Sequence, residues 1–191
     1  MSLTSLTSIK NPNDGAITLG GNINSPGMII QTAVVRTDAR TTYSSAASGN
    51  GTTITDLNLT ITPKFSTSLL VMQWMINCEI PAGWDNVFLI HKDGALITTA
   101  GYEGYNSQGG NNRWSGVMVG NYDNNNDSTM GNHFLQYAIP ASNTVSQTFA
   151  PAIRSASATA YTLYLNRTVG STGQDNYEVT VSSGVIWEVA Q

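Results

Sequence analysis

Charge is what this chain has least of: Asp, Glu, Lys and Arg make up 10% of its 191 residues, against about a quarter in an ordinary globular domain. Helical surfaces draw on Glu, Lys and Arg for propensity and solvation, so the shortage argues against helices. Cysteine occurs once, at Cys78, which excludes an intrachain disulfide and any multi-cysteine zinc site. The eight basic residues never cluster and the formal charge is -4, so no electrostatic footprint for nucleic acid exists. No run approaches the ~20 apolar residues of a membrane span, and "MSLTSLTSIKNPNDG" lacks an apolar secretion core. No membrane insertion and synthesis in a cytoplasm are expected. The sequons at Asn58, Asn126 and Asn166 are then by-products of composition.

Neutral polar residues fill the space left by charge. Roughly a third of the chain is Ser, Thr or Asn, well above ordinary usage. Instead of a helical period, short alternating runs recur between turn residues, the pattern of an antiparallel sandwich or barrel. The runs predict strands over 28–36, 53–62, 69–78, 86–92, 95–100, 112–119, 132–139, 147–154, 159–166 and 176–189. In "LLVMQWMINC" the even positions Leu70, Met72, Trp74, Ile76 and Cys78 form one apolar face. Leu57, Leu59 and Ile61 alternate up to Pro63, Leu135, Tyr137 and Ile139 up to Pro140, and Tyr161, Leu163 and Leu165 in a third run. Proline lacks the ladder donor and closes strands naturally. Asp93-Gly94 supplies the positive φ angles of a tight hairpin turn between apolar runs. At the C-terminus, odd positions carry Val179, Val181, Val185, Trp187 and Val189, and even ones Glu178, Gly184, Ile186 and Glu188. That is the signature of one long half-buried strand. The fold class expected is all-β: an antiparallel two-sheet β-sandwich, jelly-roll-like first and immunoglobulin-like second, over residues 28–191.

Residues 1–27 read differently, as a small, polar, Gly/Asn/Pro-broken arm that cannot form a core alone. Its spaced hydrophobes, Leu3, Leu6, Ile9, Ile17, Leu19 and Ile23, suit an extended anchor lying across another subunit; the competing account is a loose leader.

Chemistry has little foothold. Nucleophilic catalysis needs a base beside the nucleophile, yet His91 and His133 each read as strand residues near a sheet end. Cys78 reads as a small buried hydrophobe. The acids are scattered, which leaves a glycosidase-type carboxylate pair without support. Asp123, Asn125 and Asp127 match the start of a calcium loop, but Ser128 replaces its glycine and Phe134 its closing glutamate. An Asn-rich turn explains them as well. Tyr102, Tyr105 and Trp114 stand in or beside polar loops, as aromatics that hold sugar rings do, or simply pack. No cofactor and no enzymatic activity are expected.

"LNLTITPKFSTSLLVM", "AYTLYLNRT" and the terminal "YEVTVSSGVIWEVAQ" together resemble the C-terminal β-sandwich domains of tailed-phage virion proteins, fibre and decoration proteins of cyanophages and marine phages above all. "NDGAITLGGNINSPG" is similar to the linkers that precede such domains. The resemblance implies a homotrimeric, non-enzymatic virion component on the particle surface. Its partners would be copies of itself and the major capsid protein or another virion protein. A decoration (cement) role anchored by the arm fits the chain's length best, and a receptor-binding fibre tip holding host surface glycan is the alternative. A displayed module of this kind can finish in a core strand. The resemblance carries no site residues.

Overall fold

A computed structural model describes residues 25–47, 50–81, 86–97, 104–108, 111–115, 117–118, 129–155, 159–171 and 178–191. Among them the regular structure is strand, apart from one short 3-10 turn, and no helix is long and apolar enough to cross a membrane.

The strands fall into eight ranks. The first is β1 (Ile29–Thr37) continued by β2 (Thr42–Ser45), and the second β3 (Thr52–Thr53) continued by β4 (Leu59–Ile61). The third and fourth are β5 (Leu69–Glu79) and β6 (Asn86–Lys92). The fifth begins as β7 (Ala95–Leu96), is interrupted by the hairpin β8 (Gly104–Gln108) and β9 (Asn111–Ser115), and resumes as β10 (Val117–Met118). The sixth and seventh are β11 (Gly131–Pro140) and β12 (Gln147–Ser155), and the last is β13 (Tyr161–Leu165) with β14 (Ser182–Val189).

Registers fix the order. Leu69–Met75 of β5 pairs β11 on one edge and β14 on the other, and Cys78–Glu79 pairs β13 on that second edge. β14 and β13 in turn carry β1 and β2. One sheet therefore runs in rank order 1-8-3-6. The other runs 2-7-4-5, with β12 between β6 and the β3/β4 rank, and β7 and β10 on the far edge of β6. Ranks 1 and 8, 2 and 7, 3 and 6, and 4 and 5 all pair, so the chain is a long hairpin rolled onto itself. This is the jelly-roll-like order and not the immunoglobulin one. Its tip is the β6–β7 turn, where Asp93 (φ 51) and Gly94 (φ 78) both hold positive angles, as a two-residue hairpin of type I′ requires.

The inner faces meet in one core. Leu70, Met72, Trp74, Ile76 and Cys78 of β5 are buried on the face their alternation assigns, opposite Phe88, Ile90, Phe149 and Ile153 of the second sheet. Full burial of each large side chain contributes about 1.5–3 kcal/mol. Leu57, Leu59, Ile61, Leu135, Tyr137, Leu163 and Leu165 join them.

Several expected boundaries shift. The run 53–62 is two strands separated by a 3-10 turn at Thr55–Leu57, because residues 54–58 face only Ala150 and Pro151 across the ladder and must coil. The run 112–119 divides between β9 of the small hairpin and β10 of the second sheet. The terminal strand begins at Ser182 and not near 176, since Glu178 adopts φ 43 and Val179 makes only an isolated bridge to Arg167. "GYNSQ" (β8) and "TYSS" (β2) are strands outside every run that the sequence predicts.

Candidate functional site

β14 settles the orientation of the first sheet. Its buried side is the even one, Ser182, Gly184, Ile186 and Glu188, whereas Val185, Trp187 and Val189 are only half-buried on the outside. Two contacts force this choice. Gly184 lies against Trp74, and a Cβ there would stand 2.4 Å from the indole Cδ1, so no larger residue fits. Trp74 itself is buried and donates from Nε1 to the Leu57 carbonyl at 3.0 Å.

The second contact is a carboxylate staple. Glu188 is fully buried, and its oxygens accept from the Lys64 amide at 2.8 and 2.9 Å, from the Phe65 amide at 3.0 Å and from Gln31 Nε2 at 2.6 Å. Burial alone raises a carboxyl pKa, but the Lys64 and Phe65 amides, with the Ser68 and Gln31 side chains, outweigh it and hold the group below its ordinary value. Gln31 also donates to the Thr62 carbonyl at 2.7 Å, tying β1, β14 and the β4–β5 turn together.

What remains outside is a mixed sheet face with an apolar patch on it. Registers set out its rows: Arg36, Ser183, Met75 and Phe134 in one, Val34, Val185, Gln73 and Gln136 in the next, and Thr32, Trp187, Val71 and Ala138 in a third. Val34 is 75% exposed, Phe134 54% and Met75 41%. Between them opens a shallow trough of about 410 Å³ whose walls include Val34, Val185, Met75 and Phe134 and whose charged side chain is Arg36. The apolar side chains exposed together here, Val34, Met75 and Phe134, make this face a candidate interaction surface. The opposite sheet differs: both faces of β6 are buried, with Val87, Leu89, Leu96 and Ala152 forming a second small cluster.

The groups singled out for chemistry occupy structural roles. His91 is buried, with Nε2 2.9 Å from the Asn50 carbonyl and Nδ1 2.7 Å from Thr53 Oγ1. A carbonyl can only accept, so Nε2 donates and Nδ1 takes the threonine proton; no lone pair is left for a substrate. A hydroxyl-rich hollow of about 340 Å³ beside it is lined by Thr53, Thr55, Asn58, Asp93 and Thr148. His133 packs against Phe88, ring centroids 5.1 Å apart, and burial lowers its pKa. Cys78 is buried, and burial pushes its thiol well up, which removes the thiolate a nucleophile needs. Among the described residues no three His, Cys, Asp or Glu side chains gather in a metal-holding cluster. Asn166 is fully buried at φ 56, donating to the Thr37 and Ala39 carbonyls and accepting from Ser182, so it is no glycan acceptor.

Of the expected site residues, Tyr105 and Trp114 are paired directly across β8 and β9, within strands and not loops. Tyr102, the Asp123–Asp127 loop and the anchor positions Leu3, Leu6, Ile9, Ile17, Leu19 and Ile23 lie outside the described residues. The sequence reading missed the outer face, Val34, Met75, Phe134 and Val185. Its signal was the unbroken run Val185, Ile186, Trp187 beside a glycine and an acid: both sides of that strand are apolar, so one of them must face outward. No family model and no curated protein sequence matches the chain.

Proposed function

We propose that this chain is a non-enzymatic structural component of a virus particle, a capsid decoration protein that associates as a homotrimer and is held by its N-terminal arm. The observation that carries the reading is the bare outer face of the first sheet, with Val34 75% and Phe134 54% exposed. Stable protein contacts bury about 800 Å² per partner with few charges at the centre, and this surface has the composition for it. The low charge lets identical copies pack without strong self-repulsion. The described chain joins the same sheet at one corner, where the Gly27 amide bonds the Ala190 carbonyl at 2.8 Å, so an arm leading into it starts beside that face.

Quantitative mass spectrometry of purified particles tests this. On the order of a hundred copies or more per particle supports decoration, since repetition on a closed shell demands it; a handful would eliminate it. The second reading, a glycan-holding fibre tip, draws on the β8–β9 hairpin inserted into the fifth rank, in which Tyr105 and Trp114 are register partners. Failure of the purified protein to compete for adsorption to host cells or polysaccharide would remove that alternative.

A further inference from the structure

The lead-in to β3 carries the chain's only Asn-Gly pair, Asn50–Gly51. Asn50 is exposed, and Gly51 holds φ 91, a conformation that residues with a Cβ rarely adopt. Among the described residues no hydrogen bond ties the Gly51 amide or the Asn50 side chain. The Asn50 carbonyl, by contrast, is gripped: His91 Nε2 donates to it at 2.9 Å. Loss of the Gly51 amide proton leaves a charge shared with that carbonyl oxygen, and a donor on the oxygen favours the charged form. The nitrogen of this peptide link is therefore free, unobstructed and activated. Other described asparagines differ. Each is followed by a residue whose Cβ crowds the neighbouring amide, and Asn77, Asn132 and Asn166 also have their side-chain amides held by hydrogen bonds.

We propose that Asn50–Gly51 is a self-modifying site, at which the Gly51 nitrogen displaces the Asn50 side-chain amide and the product releases the start of β3. The deprotonated nitrogen attacks Asn50 Cγ. The new N–Cγ bond closes a succinimide ring, the Cγ–Nδ2 bond breaks, and ammonia leaves with the proton. Water then opens the ring. Addition at Cγ leaves aspartate; addition at the former main-chain carbonyl leaves isoaspartate, with the chain running through Cγ and a free α-carboxylate. One water is consumed and one ammonia released, with no change of oxidation state. Either product adds one negative charge to the formal -4. Isoaspartate also lengthens the main chain by one carbon. That carbon falls between two fixed points, the His91 grip on Asn50 and the Thr52–Ile153 pairing that begins β3. Gly51 between them has no slack, since even a Cβ there would stand 3.0 Å from the Ile153 carbonyl oxygen. One tie must give, and β3 loosens at the edge of the second sheet.

The test ages the folded, full-length protein in mildly alkaline buffer made with heavy-oxygen water, so that the label marks conversion during incubation and not during digestion. Peptide mapping then follows every described asparagine. The expected result is conversion at Asn50 about tenfold or more faster than at any other of them, with isoaspartate among the products. Melting of the aged sample reads the second half of the proposal. Loss of a single hydrogen-bonded tie should lower Tm by about 2–4 °C. Asn50→Gln, whose longer side chain cannot close the same ring, should age with no change in Tm. An Asn50 that stays intact, or that converts no faster than the other described asparagines, overturns the proposal. Conversion without loss of Tm overturns the release of β3, as does an equal loss in aged Asn50→Gln.

Discussion

Replacing Glu188 by Gln keeps the side chain's shape and removes the charge on which the β4–β5 turn hangs. Three donors converge on that carboxylate, the Lys64 and Phe65 amides and Gln31 Nε2, at 2.6–3.0 Å. In the variant one oxygen becomes an NH₂ that points its hydrogens at backbone N–H groups, and the other oxygen loses charge assistance. Hydrogen bonds to a charged group contribute about 1.5–3 kcal/mol each when intact, and a buried donor left unmatched costs about 1–3 kcal/mol. Losing one contact outright and weakening the others puts the net loss at about 3 kcal/mol. For a chain of this size that lowers Tm by roughly 6–12 °C, read by circular dichroism melting at pH 7. The pH dependence follows from the direction of the shift. The folded carboxyl has the lower pKa, so the unfolded chain binds its proton first as pH falls. The stabilisation is complete above the ordinary carboxyl value of about 4.5 and disappears as pH drops through the folded value. The gap between wild type and Glu188→Gln should therefore close in acid. A Tm loss below about 1 °C, or a gap that persists unchanged in acid, refutes the staple.

Other consequences are as specific. Gly184→Ala puts a methyl 2.4 Å from Trp74 Cδ1, and forced overpacking of this kind costs about 1–3 kcal/mol; denaturant unfolding should show it, and adding Trp74→Leu should recover part of the loss. His133, whose pKa burial lowers, makes the unfolded state the better proton acceptor once pH falls below about 6.5, so stability declines there. The urea midpoint of His133→Phe should consequently fall less between pH 7 and 5 than that of wild type. Asn166→Ala strands the Thr37 and Ala39 carbonyls and loses a residue that tolerates φ 56; a loss of about 2–4 kcal/mol is expected, and a change under about 0.5 kcal/mol would show the network to be dispensable.

The fold was legible where one strand's own residues decide it. β5 carries its inward set, Leu70 to Cys78, in strict alternation, and Asp93-Gly94 names its turn without outside help. β14 was legible as a strand but not in orientation. Val185, Ile186 and Trp187 put apolar groups on both sides, and the choice is made by Trp74 pressing on Gly184 and by the Lys64 amide reaching Glu188. Partners more than a hundred residues away leave no local trace. β2 and β8, "TYSS" and "GYNSQ", are small and polar and become strands only through pairing with β13 and β9. The break at Thr55–Leu57 reflects a surplus of residues opposite Ala150 and Pro151, a mismatch between two strands that neither sequence displays alone. The outer face was hidden for the same reason: Val34, Met75 and Phe134 form one surface only after three strands are in register.

The proposed trimer requires that surface to be an assembly face. Light scattering of the full-length protein at micromolar concentration, beside a Val34→Lys/Phe134→Lys variant, tests it most directly. Both side chains are more than half exposed, so the substitutions should change folding stability by under about 0.5 kcal/mol. The expected mass is three times the 20.3 kDa of one chain for wild type and that of a folded monomer for the variant. A wild type that stays monomeric, or a variant that still assembles, would contradict it.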